Sequence, residues 1–207
     1  MGTEIKRPGG GVELETDEAL ASEDTLNEMR KRLDTIEAQT RRPTLISVRT
    51  KKDIEANGNA HAAGDVISET DTASSGTAWH FENVVSANGE WGEIYKVIAE
   101  TEVESQTHRL ALQLYTKTPT CELDDNAAAA SPTPADSPYF IGEIVLDALK
   151  SRGDNSYAVA VPGSKYLPLP FICEANSRDL WGVVVTLDAT THTATEYLAV
   201  EIFIRQY

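Results

Sequence analysis

Apolar positions near the end of the chain predict two β-strands. Every second residue is apolar on one face of the segment from Tyr197 to Tyr207, which is the period of a half-buried strand. These residues are Leu198, Val200, Ile202 and Ile204. The run from Trp181 to Leu187 is almost continuously apolar, as expected of a strand that is covered on both faces. Residues 188–196 lie between the two runs, have no apolar period and are predicted to be an exposed loop.

Shorter apolar runs separated by turn residues continue this pattern back to Thr44. The segments predicted as strands are 45–49, 64–67, 79–85, 91–102, 109–116, 139–146 and 157–161. We expect the third, fourth and fifth of these to be consecutive neighbours in a sheet. Because no helical pattern lies between the strands, residues 44–207 are predicted to form an all-β domain. Its expected architecture is an antiparallel β-sandwich or a jelly-roll-like barrel.

Ahead of this domain, residues 23–43 are predicted to form an amphipathic helix. Thr25 and Glu28 make a capping box at its start, and Pro43 ends it. Four apolar residues recur at spacings of three, four and three, the a and d positions of a heptad: Leu26, Met29, Leu33 and Ile36. Two heptads are too short for a stable coiled coil alone. The stripe is therefore either an oligomer seam supported by the β-domain, which we predict, or a face packed on its own domain.

Residues 1–22 are predicted to be a flexible acidic arm. They contain a run of three glycines, Gly9 to Gly11, and scattered acidic residues with few apolar side chains. Such a composition cannot bury enough apolar surface to offset the entropy lost on ordering. The apolar anchors through which the arm would order on a partner are Val12, Leu14 and Leu20.

The negative net charge of the chain argues against two classes of binding partner. The 207 residues carry a formal net charge of -15, so neither nucleic acid nor an anionic membrane is expected as a partner. No apolar run approaches the roughly 20 residues of a membrane helix, and the first residues lack the apolar segment of a signal peptide. One cationic cluster, placed where helix and β-domain meet, is either a solvated neck or a contact for the acidic arm of a neighbouring subunit. Its members are Arg41, Arg42, Arg49, Lys51 and Lys52.

The sequence shows no motif of catalysis or metal binding, and no cofactor is predicted. The four histidines are scattered and are expected on the surface or in loops. Asp124 and Asp125 lie in a Pro-rich segment, 118–138, that is predicted to be a long loop. Because they lack the spacing of a calcium loop, a turn or capping role is expected. An enzyme is the weaker interpretation.

Aromatic residues and cysteines have ordinary structural explanations. Each of the three tryptophans sits in or beside an apolar strand, so core packing is expected rather than a sugar-binding platform. Cys121 and Cys173 lie far apart without a metal-ligand spacing. Two reduced thiols are therefore expected rather than a disulfide, as is usual in a cytosol.

Three stretches of the β-domain carry a family resemblance. They are AGDVI at 63–67, the block from Leu112 to Asp147 with LYTKTPTCELDDNAAAASPTPADSPYFIGEIVLD, and the ending LWGVVVTLD followed by YLAVEIFIRQY. Together they resemble the β-sandwich modules of tailed-bacteriophage virion proteins of the capsid decoration, cement or head-fibre type. The likeness covers roughly Thr44 to Tyr207 and does not include the arm or the helix.

The resemblance implies a non-enzymatic virion protein on the capsid exterior, assembled in the host cytoplasm. Proteins of this type are commonly homotrimers whose arms reach over subunits of the major capsid protein. Under this hypothesis the residues that contact the capsid or a neighbour are Val12, Leu14, Leu20, Arg41, Arg42, Lys51 and Lys52. Two other classes stay open: a tail-fibre or receptor-binding protein that recognises host glycans through loops 118–138 and 188–196, and a carbohydrate-active enzyme carried on the particle.

Overall fold

The computed structural model describes residues 23–40, 43–54, 60–164, 166–192 and 196–207. The chain divides into two compact units, Met1–Arg42 and Pro43–Tyr207. The described part of the first unit contains the helix α1, Glu23–Thr40. Among the described residues, no helix is long and apolar enough to cross a membrane.

The described part of the second unit consists of β-strands, loops and a 3₁₀ turn, Ser137–Tyr139. The strands are β1 Thr44–Ile54, β2 Ala60–His61, β3 Trp79–Phe81, β4 Trp91–Thr101, β5 Leu110–Tyr115, β6 Phe140–Leu146, β7 Lys150–Arg152, β8 Asn155–Ala160, β9 Leu169–Ile172, β10 Leu180–Thr186, β11 Thr190–Thr191 and β12 Glu196–Gln206. All strand pairs run antiparallel. The predicted all-β fold with a short N-terminal helix is confirmed.

Two sheets pack face to face as a sandwich. The larger sheet has the order β1-β12-β4-β8-β7, with β9 pairing the first part of β4, and the smaller sheet has the order β3-β10-β5-β6. A two-stranded ribbon of β2 and β11 forms a third, separate sheet. Apolar residues of both larger sheets belong to one core, which lies between them.

The strand β12 lies inside the larger sheet. It pairs with β1 from Thr44↔Gln206 to Ile54↔Glu196 on one side and with β4 on the other. The four residues predicted to face inward, Leu198, Val200, Ile202 and Ile204, are all buried. The period-two pattern of the sequence therefore identified the buried face of this strand correctly.

The strands β5 and β10 of the smaller sheet are buried on both faces. One face joins the core of the sandwich, for example through Leu112 and Val184. The other face forms a second apolar cluster whose buried members are Val66, Ala111, Tyr115, Cys121, Val183 and Val185. The Pro-rich loop 118–138 contributes Cys121, Leu123 and Ala129 to this cluster. The loop covers the outer face of the sheet, so β10, which is almost continuously apolar, is covered on both faces, as predicted.

Three predictions about the path of the chain are wrong. The strands β3, β4 and β5 are not consecutive neighbours, because β3 and β5 flank β10 while β4 belongs to the other sheet. Residues 64–67 form only isolated bridges, from Asp65 to Ala128 and from Val66 to Val185. The predicted exposed loop 188–196 contains β11 and two buried side chains, His192 and Glu196.

Candidate functional site

The predicted oligomer seam lies on α1. Leu26, Met29 and Leu33 are 48%, 54% and 54% exposed, which is high for three large apolar side chains on one helical stripe. Ile36 lies within α1 as well, but its side chain is outside the described residues. The described part of the stripe is thus available to a second apolar surface.

The predicted capsid and neighbour contacts are only partly within the described residues. Five of them lie outside: Val12, Leu14, Leu20, Arg41 and Arg42. Lys51 lies on β1 and is exposed, with Nζ 3.4 Å from Asp53 Oδ1 and 4.2 Å from the ring centroid of Tyr197. Its charge is therefore presented to solvent, as a contact role requires.

The neighbouring Lys52 is buried instead. Only 8% of it is exposed, and its Nζ donates to Glu69 Oε2, to the backbone carbonyl of Thr77 and, at 3.0 Å, to Thr77 Oγ1. Burial lowers the pKa of Lys52, while the hydrogen bond and the charge of Glu69 oppose this shift. The prediction of an external contact at Lys52 needs correction, because alternate residues of a strand point to opposite faces and this one points inward.

The strand β1 is an edge of the larger sheet. It pairs with β12 along its eleven residues, and no described strand pairs with its other side. A groove of about 630 Å³ runs along part of this edge, lined by residues 46–51 together with His80, Glu82 and Asn83. An open strand edge of this length is a surface on which another chain can add a strand.

Three of the four histidines meet in the interior, which the sequence did not predict. His61, His108 and His192 are 1%, 6% and 4% exposed. The ring centroids of His61 and His192 are 5.0 Å apart, and those of His108 and His192 are 5.7 Å apart, both in edge-to-face orientation. We call these three side chains the histidine cluster.

Two carboxylates contact the histidine cluster directly. His61 Nε2 donates to Asp125 Oδ1 at 3.1 Å, and that oxygen also accepts the backbone N–H of Ser68 at 2.9 Å. His192 Nδ1 donates to Glu196 Oε1. The remaining ring nitrogens of His61 and His192, and Asp125 Oδ2, are buried and have no hydrogen-bond partner among the residues that the structure describes.

The third histidine has no carboxylate in hydrogen-bond contact among the described residues. His108 Nδ1 shares a hydrogen bond of 3.2 Å with Thr190 Oγ1. Burial lowers the pKa of His108 to about 4; His192 and His61 add to the shift, and Asp188 opposes it. In the described part of the chain, no set of three His, Cys, Asp or Glu side chains is arranged to hold a metal ion.

The histidine cluster is hard to recognise in the sequence because its three members come from three separate segments, and Asp125 comes from a fourth. His61 lies in β2, His108 precedes β5, His192 follows β11 and Asp125 lies in the Pro-rich loop. The spacing of His192 and Glu196, four residues apart, was one available signal. A spacing of four residues within a predicted exposed loop does not by itself indicate a buried contact.

Asp124 and Asp136 of the Pro-rich loop hold turns, the role predicted for Asp124, whereas Asp125, predicted to share it, contacts His61 instead. Asp124 accepts the backbone N–H groups of Ser74, Ser75 and Gly76 at 2.6, 3.0 and 2.7 Å. The hydrogen bonds from Gly76 and Ser74 lower the pKa of Asp124. Asp136 accepts the backbone N–H and the hydroxyl of Thr120 at 2.8 and 2.9 Å.

The three tryptophans differ in their surroundings. Trp79 is buried in the core, as predicted, and donates from Nε1 to the carbonyl of Ile67 at 3.2 Å. Trp91 is instead 48% exposed and stacks on Tyr207 with 4.2 Å between the ring centroids. With Ile141 and residues 170–172, Trp91 lines a shallow apolar depression of about 480 Å³. The prediction of core packing was therefore wrong for Trp91.

Both cysteines are free thiols, as expected. Cys121 belongs to the apolar cluster under the Pro-rich loop, and Cys173 belongs to the core of the sandwich. Burial raises the pKa of Cys121 to about 11 and that of Cys173 to about 12. Neither thiol is therefore prepared to act as a nucleophile near neutral pH.

Comparisons with known proteins do not assign the chain to a family. No protein-family profile matches it, and no curated protein matches it. Among solved structures, one of turnip yellow mosaic virus has a TM-score of 0.25 at 8% identity, over 81% of this chain and 82% of that one. One of desmodium yellow mottle tymovirus has a TM-score of 0.25 at 11% identity, over 80% and 88%. One of deformed wing virus, a honeybee pathogen, has a TM-score of 0.27 at 11% identity, over 100% and 55%. At TM-scores this low the likenesses carry no argument about fold or function.

Proposed function

We propose that this chain is a non-enzymatic structural protein of a virion, which binds the outer surface of a bacteriophage capsid as a homotrimer. The main observation in support of an oligomer is the half-exposed apolar stripe of α1, at Leu26, Met29 and Leu33. The assignment to a capsid exterior rests on the resemblance of the β-domain to phage decoration proteins. In this arrangement the β-domain is the rigid module and the arm is the segment that reaches a capsid subunit.

The heptad favours a parallel trimer over a dimer. Leucine occupies both a positions, and the second d position is Ile36. Leucine at a with isoleucine at d shifts coiled coils from two strands to three or four. Arg32 then falls at a g position and Glu37 at the following e position. In a parallel bundle these positions of neighbouring helices are adjacent, so the opposite charges support that orientation.

The open edge of β1 is compatible with this assembly. Its first residue follows the end of α1 after only three residues. Leu45, at the start of β1, is 60% exposed and offers apolar surface to a neighbouring copy.

Co-sedimentation with phage heads that lack the protein tests the proposal, with isolated tails as the control. We expect saturable binding to heads, at a stoichiometry divisible by three, and no binding to tails. Binding to tails alone, or to neither particle, would contradict capsid decoration. Loss of turnover of a polysaccharide on substitution of one carboxylate, with the fold intact, would contradict the non-enzymatic assignment.

One observation favours a second candidate, a glycan-binding protein of the tail. The exposed pair of Trp91 and Tyr207 lies next to polar groups, since Glu93 accepts from Arg205 Nη1 at 3.1 Å and from the Tyr207 hydroxyl at 3.3 Å. Aromatic rings beside a carboxylate and a guanidinium suit the apolar faces and hydroxyls of a sugar. Glycan-array binding that is lost in Trp91→Ala, and kept in the matched control Trp181→Phe, would support this candidate.

A further inference from the structure

The histidine cluster plays no part in the proposed function. With its two carboxylates it places five titratable side chains in the interior, and three of their polar atoms have no hydrogen-bond partner in the described part of the chain. Unpaired buried polar atoms destabilise a fold, by about 1–3 kcal/mol for each. A functional role beyond core packing would explain why the fold contains this destabilising cluster.

The cluster contacts a ribbon that has little strand pairing of its own. The ribbon of β2 and β11 has only two residue pairs, Thr190↔His61 and Thr191↔Ala60. So short a ladder is not stable by itself. His61 connects β2 to the Pro-rich loop through Asp125, and His192 connects the end of β11 to β12 through Glu196. The histidine cluster thus links the ribbon to the sandwich, whereas the Pro-rich loop is also held by its apolar cluster and by backbone hydrogen bonds to residues 64–70.

The three histidines of the cluster differ in whether a carboxylate can balance the charge of a protonated ring. Each of two histidines has its own carboxylate, Asp125 for His61 and Glu196 for His192. The third, His108, contacts only the hydroxyl of Thr190 among its described hydrogen-bond partners. The acidic group nearest in sequence to this pair, Asp188, is held by Arg109 through an ion pair of 2.7 Å. Asp65 is likewise engaged, by the backbone N–H of Ala62 at 2.6 Å.

We propose that the histidine cluster is an acid-sensitive latch, in which protonation of His108 releases the β2–β11 ribbon. An imidazolium at this position would be buried beside two other imidazoles with no carboxylate of its own. Moving the protonated ring of His108 into solvent avoids the free-energy cost of burying its charge. Because His108 contacts Thr190 of β11, that movement breaks the contact which holds the ribbon.

Hydrogen exchange at two pH values tests the latch in the full chain. Amide protection in segments 60–67 and 186–192 is measured near pH 7.5 and near pH 5, after correction for the intrinsic effect of pH on exchange. With the pKa of His108 at about 4 in the closed form and 6.5 in the open form, the opening equilibrium should rise about 30-fold between these pH values. Protection in β4 and β12 should change much less.

The variant His108→Gln and the matched control His80→Gln separate the latch from a general effect of acid. His80 is the fourth histidine, lies on the surface and is outside the cluster. We expect His108→Gln to remove most of the acid-induced opening and His80→Gln to leave it unchanged. Equal opening in His108→Gln and the wild type would overturn the proposal.

Two further measurements keep the test decisive if His108→Gln does not fold. In the wild type, an NMR titration of the imidazole signals should show His108 becoming protonated together with loss of ribbon protection. Protonation of His108 without a change in the ribbon would overturn the latch. Saturable binding of Zn²⁺ alone near pH 7.5, with quenching of all three imidazole titrations, would also overturn it, because the rings would then be metal ligands.

Discussion

The backbone N–H of Gly76 donates to Asp124 Oδ1 at 2.7 Å, and the two residues are so close that no side chain fits between them. A Cβ placed on Gly76 would overlap the carbonyl of Leu123 and lie 2.7 Å from the backbone nitrogen of Asp124. This contact joins the turn before β3 to the Pro-rich loop. The loop is thereby fixed at the point where it starts to cover the smaller sheet.

Gly76→Ala should destabilise the protein by about 3 kcal/mol or more, because two backbone segments must separate to admit the methyl group. Gly153→Ala is the control, since Gly153 has a φ of +65° but open space around it. Gly153→Ala should lower the free energy of unfolding by only about 1 kcal/mol, because alanine disfavours the left-handed conformation. Urea unfolding of the two variants checks the difference, and equal losses would show that the contact at Leu123 yields easily.

Leu33→Asp should dissociate the proposed oligomer. The substitution places a charge at the central a position of the stripe, where a bundle would bury it next to its own copies. Sedimentation velocity should show trimers for the wild type and monomers for the variant. Asn27→Asp adds the same charge to α1 at a b position, outside the seam, and should leave trimers intact. An unchanged oligomer in Leu33→Asp would contradict the seam.

Ile202→Ala should destabilise the β-domain by about 2–5 kcal/mol. Ile202 is 0% exposed and lies between Val48 of β1 and Val97 of β4 in the larger sheet, so truncation leaves a cavity in the core. Ile172→Ala, the same chemical change at a side chain that is 66% exposed, should alter stability by less than about 1 kcal/mol. Thermal and urea unfolding would measure both.

Lys52→Met should destabilise by about 1–3 kcal/mol, because Glu69 loses the cation that faces it. The exposed Lys51→Met on the same strand should change stability by less than about 0.5 kcal/mol. Burial alone would raise the pKa of Glu69, but hydrogen bonds from Lys52, Ser68 and Thr77 lower it to about 2, from 4.5. The pair therefore stabilises the fold above pH 4.5 and loses its effect as pH falls toward 2. The difference between the wild type and Lys52→Met should shrink over that range.

Deleting residues 1–22 should weaken attachment to capsids without lowering the unfolding temperature of the β-domain. The expectation follows from the composition of the arm, whose apolar anchors have too little surface to form a core. Co-sedimentation with heads compares the deletion with a chain in which only Val12, Leu14 and Leu20 are changed to Ser. Both should bind more weakly than the wild type. Decoration as tight as that of the intact chain would contradict the role of the arm.

The sequence predicted the longer strands well, missed the short ones β2, β7, β9 and β11, and predicted the strand partners poorly. Alternation in 197–207 identifies the buried face of β12 because side-chain direction is a local property of a strand. Pairing is not local: β12 joins β1 and β4, which are far from it and from each other along the chain. Nothing in the runs at 79–85, 91–102 and 109–116 shows that the middle one belongs to the opposite sheet.

The interior polar groups were the least predictable part. Lys51 and Lys52 are adjacent and identical in type, yet only Lys52 is buried. Its ammonium group donates hydrogen bonds to Glu69 and Thr77, which lie in a loop that is distant in sequence. The histidine cluster likewise depends on three segments, and its two carboxylates on two more, whose proximity follows from the completed fold. The helix stripe, by contrast, was predicted directly, because residues three and four apart share a face of a helix.

The position of β12 has a consequence for biosynthesis. A ribosome delivers β1 and β4 well before β12, their common partner in the larger sheet. Until then a nascent chain carries two long strands, each of eleven residues, with unpaired edges, and neighbouring chains on one polysome hold such edges close together. Slow translation between β4 and β12 should therefore lower the soluble yield, and chaperones that shield strand edges during this interval should raise it.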